Sequence, residues 1–181
     1  MAITRLGGAT AITGTIPQGN IANASLGAVT ALPGAIATGK VLQVVTAATT
    51  TALSSTSTTY ADTNLTANIT PSATSSKIYV TVNQSISLID DNDDRVGGGW
   101  RLMRDSTVIY GGDQSYEIFL ENNSGGGTQN FFYFNRNFLD SPSSSSQLTY
   151  KTQGRIYQSG DTVQFNSNSI ESTITLMEIA G

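Results

Sequence analysis

The sequence contains neither cysteine nor histidine. Without cysteine no disulfide can support the fold, and without histidine the Ser-His-Asp and Cys-His nucleophilic sites are excluded. Nearly all zinc sites and non-haem iron sites depend on the same two residues. We therefore expect no cofactor and no resident metal, and we predict that the protein is not an enzyme.

Charge is also scarce. Charged residues make up 12% of the 181 residues, and the net charge is −4, whereas about a quarter of the residues in an ordinary domain are charged. Phosphate binding draws its affinity from clustered Lys and Arg, and the nine basic residues here are scattered. No nucleic acid is expected as a partner. Ser, Thr, Asn and Gly take the place of the missing charged residues. This composition is suited to β-rich extracellular or particle-bound proteins.

The first 39 residues have no regular hydrophobic period, and nothing between Arg5 and Lys40 is charged. Their main apolar side chains are widely spaced: Ile12, Ile16, Ile21, Leu26, Val29, Leu32 and Ile36. This spacing fits neither a helix nor a strand, and the interspersed glycines and prolines oppose a helix. Polar residues interrupt every apolar run well before the roughly 20 residues that a bilayer requires. Neither membrane insertion nor a secretion signal is expected.

Such a segment needs a surface supplied by other chains. Burying one Ile or Leu contributes about 1.5–3 kcal/mol, whereas fixing each residue costs about 1–2 kcal/mol. The seven apolar side chains therefore cannot order the segment unaided. We predict that residues 1–39 are an extended, Gly/Ala-rich N-terminal arm that oligomerises or docks through those side chains. The alternative is a disordered linker.

Residues 40–181 are enough for a single core of ordinary size, and two of their segments alternate with the period of a strand. In residues 77–89, Ile78, Val80, Val82, Ile86 and Leu88 share one face. In residues 147–157, Leu148, Tyr150 and Ile156 point inward and Thr149, Lys151, Gln153 and Arg155 outward. Period-two alternation predicts strands that are covered on one face only.

Two further segments predict a hairpin and an unusual strand. Trp100 to Met103 and Thr107 to Tyr110 are β-prone runs joined by a short turn-forming link, which predicts a hairpin. The run TQNFFYFNRNFLD, residues 128–140, carries aromatic rings on both faces. Such a strand is either central to a sandwich or faces another subunit.

Additional strands are predicted at residues 40–45, 64–70, near 116–120 and 172–180. This makes about eight or nine strands with no helical pattern between them. The fold class is therefore all-β, an antiparallel β-sandwich that is jelly-roll-like and preceded by the N-terminal arm. We also expect the first and last strands of the sandwich to pair.

The phrases IPQGNIANASL with GKVLQVV, ITPSATSSKIYVTVNQS and STITLMEIAG resemble tail fibre and related virion appendage proteins of tailed bacteriophages, in the style of phages that infect cyanobacteria and marine bacteria. The resemblance implies a homotrimeric fibre on the virion. Its N-terminal part would dock to other virion structural proteins, and its distal β domain would contact the host surface, including host surface glycans. Because this chain has no long repeat stalk, a capsid or tail decoration protein remains the alternative.

The acidic cluster at residues 90–94 is the dense charge feature of the chain. Asp90, Asn92 and Asp94 match the first half of a calcium loop, but Arg95 and Arg101 stand where Gly and the bidentate Glu are needed. An EF-hand is thus excluded, and an irregular Ca²⁺ site stays open beside a solvated acidic loop. The same acids with Glu117 or Glu121 are the available carboxylate pairs for glycoside hydrolysis, and nothing in their spacing favours it.

Sugar binding would use exposed aromatic rings or loops. The aromatic candidates are Trp100, Tyr110, Tyr116 and Tyr133, although large aromatic residues are normally buried. Loops are better candidates, and we predict them at residues 91–98, 122–127 and 141–146. The candidate host-contact residues are Asp91, Asn92, Asp93, Asn122, Asn123 and Ser143. The last two of these loops can equally well be interpreted as flexible polar connectors.

Overall fold

A computed structural model describes residues 40–90, 95–112, 117–121 and 127–181. The predicted arm, residues 1–39, lies outside these ranges, as do its seven apolar residues and the proposed domain boundary after residue 39. Within the described ranges the chain forms eleven strands and one 3-10 turn at Ser167–Ser169. No helix in this part of the chain is long and apolar enough to cross a bilayer.

The strands follow one another along the chain with short connections. Their bounds are β1 Val41–Thr49, β2 Leu53–Ser55, β3 Ala61–Ile69, β4 Lys77–Asp90, β5 Arg95–Arg104, β6 Thr107–Gly111, β7 Ile118–Glu121, β8 Thr128–Asp140, β9 Leu148–Ile156, β10 Thr162–Phe165 and β11 Ser172–Ile179. Every pairing between these strands is antiparallel.

Sheet A contains β1, β2, β4, β8, β10 and β11. Strands β10 and β11 pair with successive halves of the same edge of β4, so together they form one row beside it. Strands β1 and β2 pair with β11 and β10 in the same way and form the outer row. Strand β8 pairs with the opposite edge of β4. Sheet A therefore has four rows, with β1 and β2 at one edge and β8 at the other.

Sheet B contains β3, β5, β6, β7 and β9. Strand β9 lies between β3 and β5, and β6 and β7 pair with successive halves of the far edge of β5. Sheet B therefore also has four rows. With the eight rows numbered along the chain, sheet A has the row order 1-8-3-6 and sheet B the row order 2-7-4-5. This is the strand order of a jelly roll, so the predicted antiparallel jelly-roll sandwich is confirmed.

The core lies between the two sheets and follows the period-two patterns of the sequence. Ile78, Val80, Val82, Ile86 and Leu88 of β4 are all buried, as are Leu148, Tyr150 and Ile156 of β9. The predicted pairing of the first and last strands is present, since Val44 lies opposite Met177. The predicted hairpin is also present as β5 and β6, with its turn at residues 105 and 106.

Two polar groups connect the sheets inside this core. At one end Asp140 of β8 accepts hydrogen bonds from Arg104 of β5 at 2.7 Å and from the hydroxyl of Tyr150 at 2.6 Å. Farther along, the side chain of Gln84 in β4 bonds to Trp100 and Thr63 of sheet B. Buried polar side chains that are satisfied in this way fix how one sheet sits on the other.

Two local predictions were wrong. Residues 95–98 do not belong to a loop but form the start of β5, because they pair with β7 and, at Gly98, also with β9. Trp100 lies in the middle of β5 rather than at its start. Strand β8 lies at an edge of sheet A among the described strands, with Phe134 in the core and with Phe131 and Tyr133 exposed on the other face. The short strands β2 and β10 were not predicted.

Candidate interaction surfaces

The outer face of sheet A carries very little charge. Its residues alternate with the core residues along each strand, and Lys77 is the one charged residue among those described. On β1, β11, the first half of β4 and β8, the face comprises Val44, Thr46 and Ala48 of β1, Thr173, Thr175, Met177 and Ile179 of β11, Lys77, Tyr79, Thr81 and Asn83 of β4, and Gln129, Phe131, Tyr133, Asn135, Asn137 and Leu139 of β8. Such a face is depleted in charge in the way that the cores of interfaces are.

An apolar stripe crosses this face from edge to edge. The strand register places Val44, Met177, Tyr79 and Leu139 side by side on the four rows. The two members on the edge strands are the most open, since Val44 is 56% exposed and Leu139 is 47% exposed. Neighbouring side chains on one face of a sheet lie within contact distance, so the four side chains form one continuous apolar surface, which we call the apolar stripe.

A polar band lies next to the apolar stripe. Thr46, Thr175, Thr81 and Asn137 occupy the next outward positions on the four rows. The hydroxyls of Thr46 and Thr175 are 3.2 Å apart and share a hydrogen bond. Hydroxyl and amide groups both donate and accept hydrogen bonds, so this band can bond to water or to a second polar surface.

Strand β8 carries two more exposed rings beyond the polar band. Tyr133 is 62% exposed and Phe131 is 49% exposed, and they lie opposite Ser85 and Ser87 of β4. We call these two rings the β8 aromatic pair. Among the described strands β8 pairs with β4, so its other side forms an edge of sheet A. Long apolar edges of this kind are templates for a further strand.

The outer face of sheet B has the opposite character. Lys151 forms an ion pair with Asp62 at 2.8 Å, and Gln153 donates to the same carboxylate at 2.5 Å. Burial raises the pKa of Asp62, but the hydrogen bonds from Lys151 and Gln153 outweigh it, so its pKa lies below the usual value. Arg101 and Arg155 both lie against the ring of Tyr60, at 4.1 and 4.8 Å from its centroid. This face is therefore charged, with one acid paired to Lys151 and two guanidinium groups packed on the Tyr60 ring.

A surface pocket of about 340 Å³ opens on sheet B, lined by Asp62, Asn64, Leu65, Thr66, Thr149 and Lys151. It arises where the pairing of β3 with β9 is interrupted between Asp62 and Thr66. Asn64 has a φ of 66° at this irregularity. The left-handed region is one that Asn tolerates better than most residues. The pocket offers mixed polar and apolar contacts, and its acid and base already bond to each other.

Ser143 is the one predicted host-contact residue that lies within the described residues. Asp91, Asn92, Asp93, Asn122 and Asn123 lie outside the described residues, as does Tyr116 among the aromatic candidates. Ser143 is exposed in the connection between β8 and β9 and has a φ of 51°.

The other aromatic candidates fall into two groups. Trp100 is fully buried, so a sugar cannot stack on it, and that candidate is wrong. Tyr133 and Tyr110 are exposed, on β8 and β6 respectively.

The structure shows the surroundings of two of the candidate carboxylates, Asp90 and Glu117. Asp90 is buried at the end of β4. Glu117 accepts a hydrogen bond of 2.7 Å from the backbone N–H of Trp100, and burial raises its pKa. Among the described residues no three acidic, His or Cys side chains group in a way that could hold a metal ion. The calcium alternative depends on residues 91–94, which lie outside the described residues.

The sequence did not reveal the apolar stripe. Its four members lie on β1, β4, β8 and β11, and each looks like an ordinary outward position of its own strand. The run of aromatic residues in β8 was the signal that sequence reasoning did find, as a strand that faces either the core or another subunit. Only the strand register shows that Val44, Met177, Tyr79 and Leu139 are neighbours.

The strand order and surfaces define the described part of the chain as a jelly-roll domain with one face that carries very little charge. No protein-family model matches the chain, and no curated protein matches it. Similar solved structures include one of the infectious bursal disease virus Gx strain, which is 14% identical over 75% of this chain and 38% of that chain, with a TM-score of 0.38.

Two other similar structures belong to the same virus. A mutant VP2 protein in derived particles is 16% identical over 76% of this chain and 36% of that chain, with a TM-score of 0.35. The VP2 subviral particle is 14% identical over 77% of this chain and 37% of that chain, with a TM-score of 0.34. This chain thus spans less than two fifths of the length of each. The fold assignment rests on the strand order.

Proposed function

We propose that this chain is a structural protein of a virus particle, a subunit of a homotrimeric tail fibre or appendage of a tailed bacteriophage. The observation that carries the proposal is a jelly roll with one almost uncharged outer face that exposes apolar side chains. Jelly rolls serve in viral coats and in lectins, and an uncharged apolar face on a soluble domain marks a contact surface. The phrases within residues 12–45, 69–84 and 172–181 that resemble phage appendage proteins support the same function.

In this proposal the two parts of the chain have different tasks. Residues 1–39 dock the subunit to other virion proteins through Ile12, Ile16, Ile21 and the apolar residues that follow them. The jelly roll is presented to the host surface, where it adheres to glycans. The role is structural and includes no catalysis. Release of oligosaccharide from host capsule or lipopolysaccharide on incubation with the protein would contradict that part of the proposal.

A second candidate is a decoration protein that stabilises a capsid or tail lattice without binding a receptor. The outer face of sheet A favours it, because a broad uncharged face also suits packing against a lattice of other proteins. In that case Tyr133 and Val44 would contact the lattice, and no glycan would bind.

Position on the particle separates the two candidates. Antibodies against this chain are applied to particles purified from the infected host and viewed by electron microscopy. Label on fibres or at the tail tip supports an appendage, whereas uniform label over the capsid or tail tube supports decoration. Absence of label on intact particles that contain other virion proteins would overturn both candidates.

Adhesion is tested separately on a glycan array with the full chain. We expect binding to a limited set of host glycans, and a Ser143→Arg variant tests the one candidate contact residue that the structure describes. A full chain that binds no glycan while its particles still attach to cells would overturn the adhesive role.

A further inference from the structure

We propose that copies of this chain assemble edge to edge, the β8 edge of one copy lying against the β1 edge of the next, with the outer faces of sheet A turned towards a common axis. This inference deepens the proposed function, because it names the surface by which the proposed trimer forms. The inference depends on the proposed function only in assuming that copies of this chain assemble.

The position of the exposed apolar residues carries the inference. On sheet A the large exposed hydrophobic side chains all belong to the two edge rows among the residues described. They are Val41, Leu42 and Val44 of β1, and Phe131, Tyr133 and Leu139 of β8. Outward residues of the inner rows, such as Tyr79 and Met177, are only partly exposed. Apolar side chains that concentrate on two opposite edges indicate that each edge meets another surface.

The two edges are complementary in direction. Strand β1 is antiparallel to β11, β11 is antiparallel to β4, and β4 is antiparallel to β8. Rotation about an axis along the strands keeps these directions, so β8 of one copy approaches β1 of the next in antiparallel orientation. Antiparallel neighbours are the commoner arrangement in sheets. A contact between two different edges is head-to-tail, and it forms a closed ring when the rotation from one copy to the next is a whole fraction of a turn.

Charge favours a second copy over an unrelated partner. Lys77 is the one described charge on the outer face of sheet A, and it lies at the end of β4. Identical faces turned towards one another therefore meet almost no like-charge repulsion. The polar band contains hydroxyl and amide groups, which can donate to and accept from an identical band. The outer face of sheet B, with Asp62, Lys151 and Arg101, is suited to water instead.

The dimensions agree with such an assembly. Neighbouring rows lie about 4.8 Å apart. Three spacings within one copy and one spacing to the next copy therefore make each side of a three-sided assembly about 19 Å long. Three sides of that length place each sheet about 5.5 Å from the axis, close to half the roughly 10 Å spacing of packed sheets. Thirteen residues of β8 at about 3.3 Å each give a face on the order of 800 Å², as large as the share of one partner in a standard interface.

The absence of cysteine in the chain makes a clean cross-linking experiment possible. Val44 and Leu139 occupy the same level of the sheet on its two edges. Within one copy they are three row spacings, or about 14 Å, apart, too far for a disulfide, which needs Cα atoms within about 7 Å. Between neighbouring copies the proposed contact brings them together.

We expect the full-chain V44C/L139C variant to form disulfides between copies on oxidation. On a non-reducing gel it should run as a covalent oligomer with the number of chains that light scattering finds for the wild type, and reduction should return it to 19.0 kDa. The matched control is N68C/V108C, which places cysteines on β3 and β6, the two edge rows of sheet B. The control should stay a single covalent chain.

A second measurement uses charge. In light scattering of the full chain, Tyr133→Arg should lower the average particle mass, because at least part of the oligomer dissociates into free subunits. Asn68→Arg should leave the average mass unchanged. A wild type of 19.0 kDa, or a V44C/L139C variant that cross-links no better than the control, would overturn the inference. If Ile16→Asp with Ile21→Asp dissociates the oligomer and Tyr133→Arg does not, the arm alone assembles the protein and the inference is wrong. The particle-labelling experiment tests the proposed function separately, and its result does not depend on these outcomes.

Discussion

The indole N–H of Trp100 donates a hydrogen bond of 2.8 Å to Oε1 of Gln84 across the space between the sheets. The amide nitrogen of Gln84 in turn donates to Thr63 Oγ1 at 2.7 Å and to Asn166 Oδ1 at 3.3 Å. Asn166 donates to the backbone oxygen of Thr63 at 2.6 Å. All of these residues are fully buried, so one glutamine satisfies polar groups from both sheets.

We predict that Gln84→Leu lowers the free energy of unfolding by about 3 kcal/mol, because it leaves the buried Trp100 N–H without an acceptor. Urea unfolding followed by tryptophan fluorescence measures the change, since the sequence has a single Trp. The control is Asn68→Leu, an exposed position on β3, which should change stability by less than about 0.5 kcal/mol. Equal effects of the two variants would show that the network contributes nothing.

Glu178 should make stability depend on acid pH. Burial alone would raise its pKa, but hydrogen bonds from Ser72, Ser76 and Gln43 outweigh burial and lower the pKa from 4.5 to about 2. Because the folded-state pKa is depressed, the stabilisation is complete above pH 4.5 and is lost as the pH falls through about 2. A shift of this size corresponds to about 3 kcal/mol.

The measurement compares wild type and Glu178→Gln in urea between pH 2 and pH 7. The variant cannot ionise at this position, so the difference in unfolding free energy between the two proteins should shrink as the pH falls from 4.5 to 2. A difference that stays constant over this range would show that Glu178 is not held as a carboxylate by its neighbours.

Removal of Asp140 should be far more costly than removal of an exposed acid. Asp140 bonds to Arg104 and to Tyr150 at the end of the core, so Asp140→Ala leaves a partly buried guanidinium and a buried hydroxyl without their acceptor. We expect a loss of about 3–5 kcal/mol. Asp62→Ala, which removes the exposed pair with Lys151, should cost less than about 1 kcal/mol. Thermal and urea unfolding of both variants measure the two losses of stability. Similar losses would contradict the prediction that Asp140 matters far more than Asp62.

Gly154 should tolerate no side chain. A Cβ at this position would overlap the ring of Phe165, so Gly154→Ala should cost about 1–3 kcal/mol through overpacking. Gly98→Ala is the matched control, because its Cβ would meet Leu88 at an ordinary 3.4 Å. The control should range from neutral to about 1 kcal/mol more stable, through reduced entropy of the unfolded chain. If both variants behaved alike, the close approach of Phe165 would have no energetic weight.

Much of the fold could be predicted because period-two alternation decides which face of a strand is buried. That argument placed Ile78 and Leu88 in the core, and it also separated Phe131 and Tyr133 from Phe132 and Phe134. The short strand β10 was missed, since four residues with Val163 and Phe165 inward give too little alternation to detect. Gly97–Gly99 suggested a turn, but a strand can hold glycines where neighbouring side chains fill the space.

The candidate surface could be predicted only in part. The aromatic run of β8 predicted a strand that is central to a sandwich or faces another subunit. In the structure Phe134 belongs to the core, whereas Phe131 and Tyr133 are exposed on the outer face. The apolar stripe required the pairing of Val44 with Met177, Met177 with Tyr79 and Tyr79 with Leu139. These pairings join residues that are distant in the sequence: Val44 and Met177 lie 133 positions apart, Met177 and Tyr79 lie 98 apart, and Tyr79 and Leu139 lie 60 apart. Local sequence patterns therefore cannot reveal them.

The antiparallel pairing of β1 with β11 also decides how the domain resists mechanical tension at Lys40. Ladder hydrogen bonds of this type run perpendicular to the strands, and the last of them joins the N–H of Ala180 to the oxygen of Lys40. Tension along β1 loads the bonds of the ladder together in shear, whereas tension across the sheet opens them one after another from Val41. A subunit pulled along its strands is therefore strong, and the same subunit pulled sideways is weak.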